Sequence, residues 1–146
     1  MRRASTIGAI VGTALVLAAA GGPAAAAPSG GVIYRGKTSQ SWKLKFKVSG
    51  NRVRAFASSV TLSCSQGGAN YTVSRPFLPP GAAKIKPDGR FRRTVSPGNG
   101  TTYKYKGRIQ GRTAKGTLTM GSTKIVFGGT EVCVTIGTVR WKARRR

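Results

Sequence analysis

The chain has no histidine and only two acids, Asp88 and Glu131. These absences exclude most catalytic arrangements before any pattern is read. Without histidine there is no Ser-His-Asp or Cys-His set, and the commonest general base is missing. A glycosidase pair would have to be Asp88 with Glu131. Asp88 sits in "PDGR", where aspartate is a turn former, and is expected to be solvated. Glu131 opens a strand in "GGTEVC" and is expected to pair with one of the many arginines. Two acids, two cysteines and no imidazole do not fill a zinc or calcium shell, so neither metal nor cofactor is expected. Serines and lysines are too frequent for a Ser-Lys dyad to stand out. The glycines at Gly98–Gly100 and Gly128–Gly129 lack the strand–loop–helix setting of a phosphate loop and read as hairpin glycines. The expectation is a non-enzyme.

Long apolar runs are also missing, except near the start. Arg2 and Arg3 precede an apolar stretch from Ile7 to Ala20, followed by small residues through Ala27. This is the three-part pattern of a secretory signal. The run is too short for a comfortable membrane span. Cleavage is expected after Ala26, which makes residues 1–26 a signal peptide and the product secreted, with retention at the cell surface allowed. Residues 27–32 then form a flexible N-terminus, 33–143 a single domain and 144–146 a basic tail expected to fray. Cysteine is scarce: Cys64 and Cys133 only. In an exported chain an even pair reads as one disulfide.

Positive charge is abundant. Lys and Arg total 26 of 146 residues, and the formal charge is +24. Without Arg2 and Arg3 the remaining chain keeps 24 basic residues against both acids, a net +22. Such an imbalance bears on partners rather than on fold, and it points to anionic polymers or anionic membrane surfaces.

The dominant period is two. "WKLKFKV" alternates Trp42, Leu44, Phe46 and Val48 with Lys43, Lys45 and Lys47. Phe56, Val60, Leu62 and Cys64 share another face. Tyr103, Tyr105 and Ile109 alternate with Lys104, Lys106 and Arg108, and Val139, Trp141 and Ala143 with Arg140, Lys142 and Arg144. Such alternation marks strands buried on one side. Turn signals "SGNR", "PDGR" and "QGRT" separate the runs, with looser joins at "SQGGAN" and "SPGNGTT". "RPFLPPGAA" (75–83) is too rich in proline for a central strand and is expected to be an extended surface loop. No stretch after the first thirty residues has a helical period. The predicted fold is all-β: a small antiparallel β-sandwich or barrel of roughly 8–10 short strands with one disulfide.

"IYRGKTSQSWKLKFKVSGNRVRAF" (33–56), "YKGRIQGRTAKGTL" (105–118) and "CVTIGTVRWKA" (133–143) together resemble a small secreted β-domain family of actinobacteria. The resemblance covers most of the chain from Tyr34 to Ala143. It implies a β fold and the Cys64–Cys133 pairing, and it brings no catalytic residue.

The basic rows on the polar strand faces are the candidate binding residues: Lys43, Lys45 and Lys47; Lys104, Lys106 and Arg108; Arg140 and Lys142; and a shorter pair, Lys84 and Lys86. Three hairpin tips add Arg52, Arg90 and Arg112, whose guanidinium forks suit phosphate or carboxylate. A single row is ordinary wetting of a strand face, which lysine also protects from aggregation. The near-elimination of acids is not ordinary, since a neutral surface mixes both signs. The aromatics have the opposite parity from the lysines, so base stacking is not expected; Tyr34 and Tyr71, near loops, are the rings expected to be exposed. The function expected is charge-based binding of anionic polymers: cell-envelope polyanions, acidic polysaccharide, or nucleic acid without sequence reading. The alternative is a cationic membrane-active or toxin-like protein. It would need an apolar patch beside the charge, and "FLPP" (77–80) is the nearest stretch.

Overall fold

The computed structural model describes residues 31–146, so the expected signal segment and its cleavage point lie outside the described residues. The described chain is all strand and turn, with ten strands in one hydrogen-bonded system and every pairing antiparallel. In chain order these are β1 (Val32–Thr38), β2 (Lys43–Ser49), β3 (Arg52–Gln66), β4 (Ala69–Phe77), β5 (Ala83–Lys84), β6 (Arg90–Val95), β7 (Thr101–Gln110), β8 (Thr113–Val126), β9 (Gly129–Thr135) and β10 (Val139–Arg145).

The pairings close on themselves. Starting at β10, the order runs β1, β2, β3, β5, and then through an Ile85–Phe91 bridge to β6, β7, β8 and back to β10. An even ring with antiparallel neighbours throughout is a closed barrel, which removes most sheet edges. Of the two architectures left open by the sequence, the chain adopts the barrel. Two strands are too long for the ring. β3 and β8 run on past it and are joined there by β9, with β4 on the outer side of β3. The result is a barrel with a four-stranded blade, β4-β3-β9-β8, extending from one end.

The parity of β3 changes along its length, and a bulge does it. Lys45 faces Ala57 but Lys47 faces Arg54, so two residues of β3, Ala55 and Phe56, oppose the single Phe46. Ala55 takes φ 49°, the left-handed region. The extra residue moves the buried set from Val53 to Phe56, Ser58, Val60, Leu62 and Cys64. An unbroken alternation from Val53 would have turned all of these outward.

Seven buried aromatic rings form the centre. Phe46 stacks on Tyr34 at 5.0 Å and on Phe56 at 5.5 Å, and Trp141 meets both phenylalanines edge-on. Phe77, Phe91 and Tyr105 complete the set. Trp141 needs space, and the facing pair Gly107–Gly116 supplies it. A Cβ at either glycine would come within 2.5 Å of the Trp141 ring. Under the blade, Cys64 faces Cys133 across β3 and β9, and the two form a disulfide.

Several expectations change. Trp42 lies before β2 and is only half-buried, its indole N–H donating to Thr61 Oγ1 at 3.1 Å. Tyr34 is buried, not exposed, and its hydroxyl donates to Gly111 O at 3.1 Å. Segment 75–83 is not one loop. β4 continues through Pro76 to Phe77, which the free outer edge of β4 permits because proline there interrupts no ladder. Phe77 is fully buried, and within "FLPP" Leu78 alone is a large exposed side chain. The C-terminal arginines are held: Arg144 and Arg145 pair with Arg35 and Tyr34, and the Arg146 N–H donates to Ile33 O.

Candidate polyanion-binding surface

Each basic row stands on the outer face of a barrel strand, because its neighbours in sequence fill the barrel. The register decides whether the rows meet. Lys43 on β2 faces Lys37 on β1, which faces Lys142 on β10, which faces Lys115 on β8, which faces Arg108 on β7, which faces Arg90 on β6. Six cations thus stand in register across six consecutive strands, all exposed. At ~4.8 Å per strand the ladder spans about 24 Å of barrel surface. Beside it lies a shorter ladder, Lys45–Arg35–Arg144. On the other side Arg140 and Lys106 flank Thr117, and Lys106 faces Arg92. Shallow depressions run between the ladders. One of about 620 Å³ is lined by seven basic residues: Arg35, Arg108, Lys115, Lys142, Arg144, Arg145 and Arg146.

The three arginine tips share one rim of the barrel. Ile85 N–H donates to Asn51 O, Ile109 N–H to Gly89 O and Arg145 N–H to Arg112 O, tying the turns that carry Arg52, Arg90 and Arg112 to one end. Arg52 faces Lys84 there, and Lys86 follows on the next turn. Not every expected residue joins the ladders. Lys104 stands between Thr94 and Thr119, one step toward the blade. Lys47 faces Arg54 on the β3 side. The residues that sequence reasoning missed are the connectors: Arg35, Lys37, Arg92 and Lys115. "YRGKT" and "TAKGT" do alternate, but a glycine stands at the inward position beside each base, so neither reads as an apolar strand face.

The acids are far from each other. Asp88 accepts the Arg90 N–H, pairs with its guanidinium at 3.4 Å, and its carbonyl accepts from Arg108 Nε at 3.1 Å. Glu131 faces Lys124 in the blade. Along β8 the Arg108 partner Lys115 and the Glu131 partner Lys124 are about 30 Å apart at ~3.3 Å per residue. Glycosidase carboxylates sit within roughly 10 Å, so these two form no such pair.

Glu131 is buried. It accepts from the Tyr71 hydroxyl at 2.5 Å and has Arg75 at 4.0 Å. The bond to Glu131 raises the Tyr71 pKa, with burial and the Glu131 charge adding to it and Arg75 opposing. Burial raises that of Tyr105, against the nearby Arg93. Glu131 lies beside both disulfide sulfurs. As an oxidised pair these sulfurs are not thiolate ligands, so the cluster offers a metal one carboxylate.

No protein family, curated protein or solved structure matches the chain.

Proposed function

We propose that the chain is a secreted, non-catalytic barrel that binds anionic polymers through its basic ladders. The resemblance to secreted actinobacterial β-domains fits this setting and adds no activity. The observation that carries the reading is the six-cation ladder from Lys43 to Arg90. Like charges directly opposite one another on a sheet are destabilising. Here five such contacts follow in succession, and Asp88 at one end is the only acid beside them. An external polyanion relieves that repulsion and releases its own counterions. The rings of the barrel face inward, so the ligand is held by charge and not by stacking. Cell-wall polyanions, acidic polysaccharide and extracellular DNA all satisfy this chemistry.

The test compares duplex DNA and a teichoic acid across a salt series. For six engaged phosphates, log K for duplex DNA should fall against log salt with a slope of about −5.4. Two triple reversals to glutamate carry the same charge change. One takes Lys37, Lys142 and Lys115 in the ladder; the other takes Lys47, Arg54 and Lys84 outside it. The ladder triple should lose at least ~100-fold at 150 mM salt and the other far less. Equal losses would show a diffuse positive shell and no dedicated surface.

A further inference from the structure

The blade differs in kind from the barrel. Its outer face carries Val132 and Val134 on β9 and Ile125 on β8, with exposures of 41, 53 and 93%, and Ile136 follows just past the end of β9 at 54%. The positions flanking them on that face are Ser63, Ser65, Thr72 and Thr123, set by the register of β4, β3, β9 and β8. Lys124, Glu131 and Arg75 have the opposite parity and stand on the other side of the sheet. Among the described residues, then, a net charge of +22 leaves one sheet face without a charged side chain.

We propose that this face pairs with the same face of a second copy, giving a weak symmetric dimer with its basic barrels at opposite ends. Charge placement selects that occupant. An acidic partner gains nothing on an uncharged face while the ladders are free. An anionic bilayer would need cations around the patch, and the nearest on the outer surface is Lys104, beyond Gly121 and Thr102. A second copy has the reverse problem: everywhere else it meets cations, and here it does not. The ladder residue Lys115 and the blade position Thr123, which faces Val132, are about 26 Å apart along β8 at ~3.3 Å per residue. That is about three times the Debye length of ~8 Å at physiological salt, so the barrels scarcely repel across the interface. Four strands of about six residues present a patch of roughly 15 by 20 Å. This is smaller than the ~800 Å² per partner of a stable complex, which places the dimer among reversible ones. Such a dimer would display two basic surfaces and bind a long polymer bivalently.

Sedimentation equilibrium of the purified chain tests this at three NaCl concentrations, about 50, 150 and 500 mM, which span Debye lengths from roughly 14 to 4 Å. The expected result is a concentration-dependent dimer that is weaker at 50 mM, where a Debye length of ~14 Å leaves some repulsion between the copies, and about equally strong at 150 and 500 mM, whereas polyanion binding weakens throughout. Val134→Lys, at an exposed position, should weaken association at least ~tenfold, since symmetry introduces the lysine twice. Leu78→Lys, on the loop after β4, should not. The near-ultraviolet circular dichroism of each variant checks that the barrel is intact. A monomer at every salt and concentration overturns the proposal. Association that Val134→Lys leaves unchanged, as edge pairing of β4 would give, overturns it too. So does a monomer whose binding to phosphatidylglycerol vesicles is lost in Val134→Lys, because the face would then belong to lipid. None of these outcomes bears on the ladder, whose test uses different residues.

Discussion

Ala55 sits at φ 49° in the β3 bulge, where an L side chain is unfavourable and glycine is not. The bulge is nevertheless essential, because it turns Phe56 and the four buried residues after it inward. Ala55→Gly keeps the extra residue and removes the strain. Thermal unfolding should show a gain of about 0.5–1 kcal/mol, or a few degrees in Tm. Unchanged or lower stability would mean that the φ of Ala55 carries no strain. At the same scale, Gly107 and Gly116 matter for space and not for φ: both have ordinary strand backbone, and their missing Cβ atoms leave room for Trp141.

Among the elements, the blade is held differently from the barrel. The barrel strands are bonded into a ring around seven rings of core. The blade has a thin inner face of Tyr71, Val73, Met120, Glu131 and the disulfide. Cys64 and Cys133 are 69 residues apart in sequence, a loop whose closure in the unfolded chain contributes about 4 kcal/mol in the chain-entropy account. The double variant Cys64→Ser, Cys133→Ser should therefore lose roughly 2–4 kcal/mol in urea unfolding. Hydrogen exchange should place the loss locally first, with β9 and the far ends of β3 and β8 opening before β1, β2 and β10. Uniform exchange across both parts would show that blade and barrel unfold as one unit.

At the scale of the described molecule, positive charge is concentrated on the outer face of the barrel around its aromatic core. Lys142 stands in register between Lys37 and Lys115, with no acid facing it. Lys142→Glu puts an attractive pair on each side, so stability at low salt should rise by about 0.5–1 kcal/mol. The gain should fade above about 300 mM salt, where the Debye length is below ~6 Å. The same variant should bind duplex DNA more weakly, and both readings come from one salt series. A stabilised protein that binds less well is what a surface kept for binding predicts; one that loses both stability and affinity would point to a structural role for Lys142.

The all-β class, the inward and outward faces of most strands and the hairpin glycines were legible because each rests on local information: period-two alternation and the positive φ at Gly50, Gly89 and Gly111 are properties of short stretches. The disulfide was legible for another reason, since two cysteines allow one pairing even at a separation of 69 residues. The basic rows were legible for the same reason. Their meeting was not, since Lys37 and Lys115 are 78 positions apart and are joined only through Lys142 on β10. The uncharged blade face was hidden likewise. "KIVFGGTEVCVTI" looks like one more half-buried hairpin until the lengths of β3 and β8 carry it beyond the barrel, leaving Val132 and Val134 with nothing to pack against. Composition determined the sign of the charge, and alternation determined which side of each strand carries it. Strand register and barrel closure alone decided that the cations form one band and the exposed apolar residues another surface, because both are contacts between segments remote in sequence.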